Sequence, residues 1–283
     1  MRLLRIGPAG AERPALLAED GRILDLSSLT DDINGPFLAS GGPERVRTAL
    51  KAGTLPPLDR AGARIGAPVA RPGKVVCVGL NYLDHAEETG AAIPERPVVF
   101  MKDPGTVVGP YDQVLIPRGS VKTDWEVELA VVIGSRARYL ESPERALDVV
   151  AGYAVSNDVS EREFQLEYST QWDLGKSCET FNPLGPWLVT PDEAGDPQSL
   201  GLRLSVDGVL RQEGSTKNMI FGVAHLVWYL SQYLVLEPGD VINTGTPAGV
   251  ALGLPGNPYL RPGQTVELGI DGLGTQQQTF AQA

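Results

Sequence analysis

The segment Asp124-Trp125-Glu126-Val127-Glu128 runs straight into Leu129-Ala130-Val131-Val132-Ile133, and no other stretch constrains the fold as tightly. An apolar run of this kind belongs in a buried strand. Side chains along a strand alternate faces, so Glu126 and Glu128 point the same way. Two carboxylates side by side on a buried strand repel, and each loses hydration. Something positive should lie between them: a divalent cation with oxygen ligands, or Lys and Arg paired with the acids. An acidic end forming an exposed polar edge would need neither.

The rest of the chain is broken by 33 glycines and 23 prolines, which favours short strands and many turns over long helices. At 283 residues there is room for one large domain plus a small one. Residues 1–70 are expected to form a small N-terminal β-containing domain, with short strands at 2–6, 15–17 and 22–25. Residues 55–57 and 67–72, rich in Pro, read as a linker. Residues 71–283 are expected to form the main domain, with strands at 74–78, 97–101, 114–116, 126–133, 152–156 and 187–189. Asp207-Gly208 and Asp271-Gly272 mark hairpin turns. One helix should start at Ser142-Pro143-Glu144, and another should run over 218–234. The fold class is mostly β (α+β), without an alternating βαβ pattern.

The net charge of −11 argues against nucleic acid or an anionic membrane as partner. An anionic small molecule stays open, because a bound cation inverts the local sign. Cys77 and Cys178 have no metal-site spacing, and so few cysteines suit a reducing compartment. The opening residues do not read as a signal peptide and no apolar stretch spans a bilayer, so the cytoplasm is expected.

Several residues carry chemistry. Asp158 closes the short apolar strand in Gly152-Tyr153-Ala154-Val155-Ser156-Asn157-Asp158. Such an Asp caps a turn or points into a site. With Glu126 and Glu128 it would complete a three-carboxylate cage for Mg²⁺, Mn²⁺ or Ca²⁺ rather than Zn²⁺. His85 and Glu88 are neighbours on a helical turn, while Glu87 faces away. The pair suits a general base, or belongs to a surface helix with incidental charges. His225 sits in an apolar helix and reads as structural. Lys176 lies in a Gly-bounded turn close in sequence to Asp158, and the loop 243–250 exposes amides beside hydroxyls that can hold a carboxylate.

In this order, Gly79-Leu80-Asn81-Tyr82 with His85 and Glu88, Phe100-Met101-Lys102, Asp124 to Glu128, Asn157-Asp158-Val159-Ser160, Gly175-Lys176-Ser177 and Gly245-Thr246-Pro247 resemble the motifs of the fumarylacetoacetate hydrolase (FAH) superfamily. The likeness runs from residue 74 to the C-terminus. It implies a mixed β-sandwich or roll, a homodimer or higher assembly, and Mg²⁺ or Mn²⁺ held by Glu126, Glu128 and Asp158. It puts the His85–Glu88 pair on a lid over the substrate, and Tyr82, Lys102, Gln165, Lys176 and Thr246 at pocket positions. Residues 1–27 and 117–125 resemble bacterial members often labelled ureidoglycolate lyase, some relatives of which hydrolyse 2,4-diketo-3-deoxy-L-rhamnonate or fuconate. Leu80 stands where short acylpyruvate hydrolases often carry Arg, which disfavours small dianionic substrates and favours a longer, hydroxylated one.

The implied activity is hydrolytic cleavage of a C–C bond in a 2,4-diketo acid, giving pyruvate and a second acid such as lactate. His85, Glu88 and Lys176 would be the catalytic groups. Oxaloacetate-type decarboxylation, acylpyruvate or fumarylpyruvate hydrolysis and ureidoglycolate cleavage are the enzymatic alternatives. Outside enzymes, the alternative is a non-catalytic keto-acid-binding protein.

Overall fold

In the computed structural model, which describes residues 1–59 and 62–283, the acid-headed run forms strand Val127–Ile133, buried along its whole length. It lies between antiparallel neighbours Val150–Asn157 and Val241–Asn243 in the middle of a large mixed sheet. Its two faces serve different layers. Val127, Leu129, Val131 and Ile133 share a core with Leu202, Leu204, Val266 and Leu268. Those residues come from a second, five-stranded sheet, so the body is a sandwich. Ala130 and Val132, on the other face, pack with Met1, Leu3, Leu16, Leu24 and Phe37 from the N-terminal residues. The mostly β fold expected from the sequence is the one observed.

Strand Arg2–Ile6 pairs with Arg13–Leu17 and also registers Arg2 and Leu3 against Val189 and Leu188. The N-terminal strands therefore extend the large sheet. The Pro-rich stretch expected to be a linker is packed rather than free: Ala67, Val69 and Ala70 are buried. The Ala70 amide donates to the Ile33 carbonyl at 2.7 Å. Small apolar residues between prolines suit an extended segment lying on a core as well as they suit a tether.

Two helix expectations are corrected. The helix expected over 218–234 is only Val223–Ser231, after a short 3₁₀ turn at Thr216–Asn218. Asn81 overrides the helical periodicity of the residues between. Its carbonyl accepts from the Ile220 amide at 2.7 Å, and its side chain accepts from the Phe221 amide at 2.8 Å. That tertiary clamp outweighs local propensity and keeps the segment out of the helix. The other helix is 3₁₀, Pro143–Val149, and Ser142 makes no side-chain cap bond. The Asp207-Gly208 turn is formed as expected, with φ of 49° and 76°. Both values are those of a tight hairpin between Gly201–Val206 and Val209–Ser215. Among the described residues, no helix is long and apolar enough to cross a membrane.

Gly152 shows how closely strands Val150–Asn157 and Asn182–Val189 approach. A Cβ there would stand 2.3 Å from the Val189 carbonyl oxygen. Gly152→Ala is expected to lower unfolding stability by about 1–3 kcal/mol in urea titrations, as overpacking does in a rigid core.

Candidate active site and metal centre

The backbone around strand Val127–Ile133 brings three carboxylates together. Glu128 is registered opposite Ser156, so it projects from the face that Ala130 continues. Glu126 lies one residue before the strand, where its amide donates to Asn157 Oδ1 at 3.1 Å. Its carbonyl accepts from the Asp158 amide at 2.9 Å, tying the two chain ends together. One carboxylate oxygen each from Glu126, Glu128 and Asp158 lies within 4.8 Å of the others, and all three residues are buried.

Cations surround two of the three. Lys176 Nζ is 2.9 Å from Glu126 Oε2 and 3.0 Å from Asp158 Oδ2. Lys102 Nζ is 2.5 Å from Asp158 Oδ1, and Arg162 Nη2 is 2.7 Å from Glu126 Oε1. Glu128 accepts from the Gly245 amide at 2.7 Å. Among the described residues it has no Lys or Arg within ion-pair distance. The electrostatic consequence divides the acids. Burial pushes Glu126 up, yet the Lys176 and Arg162 charges hold it below the usual carboxylate range. Glu128 is driven well above that range by burial first, then by Asp158 and Glu126. Lys176 loses hydration, but Asp158 and Glu126 raise its basicity, so it stays an ammonium.

Both readings of the acidic strand therefore hold in part: Lys and Arg pair with some acids, and one carboxylate remains in excess. A buried all-oxygen donor set with an uncompensated charge fits a hard divalent cation such as Mg²⁺ or Mn²⁺. Glu126, Glu128 and Asp158 are the residues that would hold it.

A cavity of about 220 Å³ opens onto this centre, lined in part by Glu126, Glu128, Lys176, Gln165, Thr246 and His85. His85 stands on helix Leu83–Thr89, which Gly90 ends with φ 65°. Its Nδ1 is 3.3 Å from Glu88 Oε2. Glu88 Oε1 in turn accepts from the Gly249 amide at 2.9 Å. That amide comes close because residue 249 is glycine: φ is 104°, and a Cβ would stand 2.0 Å from the Arg211 carbonyl oxygen. With Nδ1–H donated to a carboxylate, the Nε2 lone pair of a neutral His85 is left free to take a proton.

The other expected pocket residues divide. Gln165 reaches the cavity, its Oε1 accepting from Arg162 Nη1 at 2.9 Å. Thr246 also lines it, but its hydroxyl is engaged, donating to the Val127 carbonyl and accepting from Gln212 Nε2. Tyr82 and Lys102 are not on the cavity wall. The Lys102 side chain lies behind Asp158, fully buried, where it neutralises an inner oxygen and donates to the Val159 carbonyl. Tyr82 is also fully buried, and its phenol has no hydrogen-bond partner among the described residues. Burial and the nearby Glu128 push that phenol well above its ordinary value. His225 stacks between Phe221 and Tyr229 on the helix Val223–Ser231, in keeping with a structural role.

Arg162 is the main residue that sequence reasoning missed. It bridges Asp124 Oδ2 at 2.8 Å and Glu126, and it lines the cavity. Asp124 itself accepts from the amides of Ala251 and Leu252. The available signal was an Arg four residues beyond Asp158, a span of at most about 14 Å, which allows but does not require a return to the site.

Residues 74–281 match the family model described as fumarylacetoacetate (FAA) hydrolase C-terminal. The chain belongs to this family. A protein of Burkholderia multivorans named only as a hydrolase is 55% identical over 279 residues, 98% of each chain. Among solved structures, 2-hydroxyhepta-2,4-diene-1,7-dioate isomerase from Mycobacterium marinum superposes with a TM-score of 0.77 at 33% identity, covering 100% of this chain and 98% of that one. Maleylpyruvate hydrolase from Sphingobium sp. SYK-6, in complex with manganese(II) and pyruvate, gives 0.81 at 28% identity over 100% of both chains. This FAH-family member thus stands among hydrolases and isomerases of small keto and enol acids.

Proposed function

We propose that the chain hydrolyses the C3–C4 bond of a 2,4-diketo acid, releasing pyruvate and a second carboxylic acid. The observation that carries this reading is the meeting, in one cavity, of a carboxylate-oriented histidine and a buried three-carboxylate centre. The similarity to a maleylpyruvate hydrolase holding manganese(II) and pyruvate supports it. When bound by Glu126, Glu128 and Asp158, Mg²⁺ or Mn²⁺ supplies Lewis-acid polarisation of keto oxygens.

The residues of the chain do the rest. His85 Nε2 takes a proton from water, and Glu88 holds the ring and steadies the resulting imidazolium. Hydroxide adds to the C4 carbonyl. The C3–C4 bond then breaks, its electrons passing into the enolate of pyruvate, and the C4 fragment leaves as a carboxylic acid. Lys176 places a fixed positive charge beside the developing enolate. His85 returns its proton to C3. Gln165 and the Thr246 backbone amide orient the substrate carboxylate. The balance is one diketo acid and one water to pyruvate and one acid. Diketo-deoxyrhamnonate or diketo-deoxyfuconate would give lactate as the second product.

The test is pyruvate release from a series of 2,4-diketo acids with Mg²⁺ or Mn²⁺, run in ¹⁸O-water. One label is expected in the second acid, and chelation of the metal should abolish turnover. Isomerisation or decarboxylation would place no label there, and turnover without metal would refute the assignment.

A further inference from the structure

The cavity has two kinds of wall. Its charged floor holds Glu126, Glu128 and two cations, Arg162 and Lys176. Each cation is already engaged: Arg162 with Asp124 and Glu126, Lys176 with Glu126 and Asp158. The remaining wall is largely apolar, with Leu80, Phe100, Leu166, Trp172 and Leu252 as its bulkiest members. Among the described residues, neither this wall nor the floor offers a Lys or Arg free to meet another anion.

The apolar part is built rather than incidental. Phe100 and Trp172 pack edge to face, ring centroids 5.4 Å apart. Trp172 can lean in only because residue 79 is glycine, since a Cβ there would stand 2.4 Å from Trp172 Cζ3. Leu80 follows in the left-handed region, φ 53°, which a branched residue adopts only when its surroundings dictate it. Lys176 Nζ lies 5.0 Å from the Phe100 ring centroid, so that ring marks where the charged floor meets the apolar wall.

We infer that this site takes 2,4-diketo acids whose acyl end is uncharged, an alkyl, aryl or short hydroxyalkyl group lying on Leu80, Phe100 and Trp172, and that it rejects those ending in a second carboxylate. The inference rests on the diketo-acid reading of the same site. With the keto-acid end on the floor, the acyl end is left against the apolar wall. A carboxylate there would lose its water and, among the described residues, meet no Lys or Arg that is not already paired. A net charge of −11 offers no compensating field from the rest of the chain. Maleylpyruvate, the substrate named for the Sphingobium relative, belongs to the rejected class.

The experiment compares 2-oxohexanoate with 2-oxoadipate, equal in chain length and different only in a terminal methyl or carboxylate. Calorimetric titration into the Mn²⁺-loaded protein should show 2-oxohexanoate binding at least about tenfold tighter. Leu80→Arg should reverse that order. Trp172→Ala should weaken 2-oxohexanoate about tenfold while changing 2-oxoadipate less than about twofold. Equal affinities, tighter 2-oxoadipate, or no binding of either acid to the unmodified protein would overturn the inference. Pyruvate release separates the two readings. Hydrolysis of both neutral and dianionic diketo acids would sink the wall and spare the hydrolase. The predicted binding order without any hydrolysis would do the opposite.

Discussion

Glu128→Gln is expected to stabilise the metal-free protein while removing its function. The carboxylate is buried, repelled by Asp158 and Glu126, and has no cation of its own among the described residues. Glutamine keeps an oxygen for the Gly245 amide and discards the charge. A rise of about 2–4 °C in Tm without metal is the expected size for a gain near 1 kcal/mol in a chain this long. Metal affinity should fall at least about 100-fold, since a ligand matters no less than the groups that support it. Hydrolysis should fall with it. The pH dependence has a definite sign. Above the ordinary carboxyl value of 4.5 and below its raised value, Glu128 binds more proton in the folded than in the unfolded state. Its contribution to metal-free stability is therefore progressively lost as pH rises through that window, and Glu128→Gln should flatten the decline. Thermal melts across pH, with and without chelator, measure both effects. A variant that melts lower and binds metal unchanged would show that Glu128 is an ordinary structural acid.

His85→Ala is expected to separate chemistry from metal binding. The imidazole lies outside the carboxylate cage, so Mn²⁺ affinity should stay within about twofold, while kcat for hydrolysis falls about 10²–10⁴-fold, the usual contribution of a positioned base. Glu88→Gln should cost less, because it weakens the orientation of His85 without removing it. Mn²⁺ affinity should again stay within about twofold, because Glu88 contacts His85 and the Gly249 amide and not the carboxylate cage. Full hydrolytic turnover by His85→Ala would place the base elsewhere in the cavity.

The sequence made the site more legible than the scaffold around it. Strand alternation alone put Glu126 and Glu128 on one face, and helical spacing alone paired His85 with Glu88. Local rules of that kind need no partner from far along the chain. The misses share the opposite property. The 219–222 segment keeps a helical pattern, yet Asn81, more than a hundred residues earlier, clamps it out of the helix. The 67–72 stretch looks like a tether until the core that receives Val69 is known. Lys102 carries a charge that belongs in a pocket, but its partner Asp158 is 56 residues away, and the pair closes behind the wall. Arg162 escaped notice for a related reason. Four residues beyond Asp158, it could have faced solvent, and only the fold shows it turned back onto Asp124 and Glu126.

The central claim is that three buried acids hold a hard dication facing the cavity. Anomalous diffraction from crystals grown with Mn²⁺ addresses it most directly. One peak about 2 Å from an oxygen of each of Glu126, Glu128 and Asp158 is the predicted result. A fully occupied manganese elsewhere, with Lys176 still bridging Glu126 and Asp158 and no density between the three carboxylates, would contradict it.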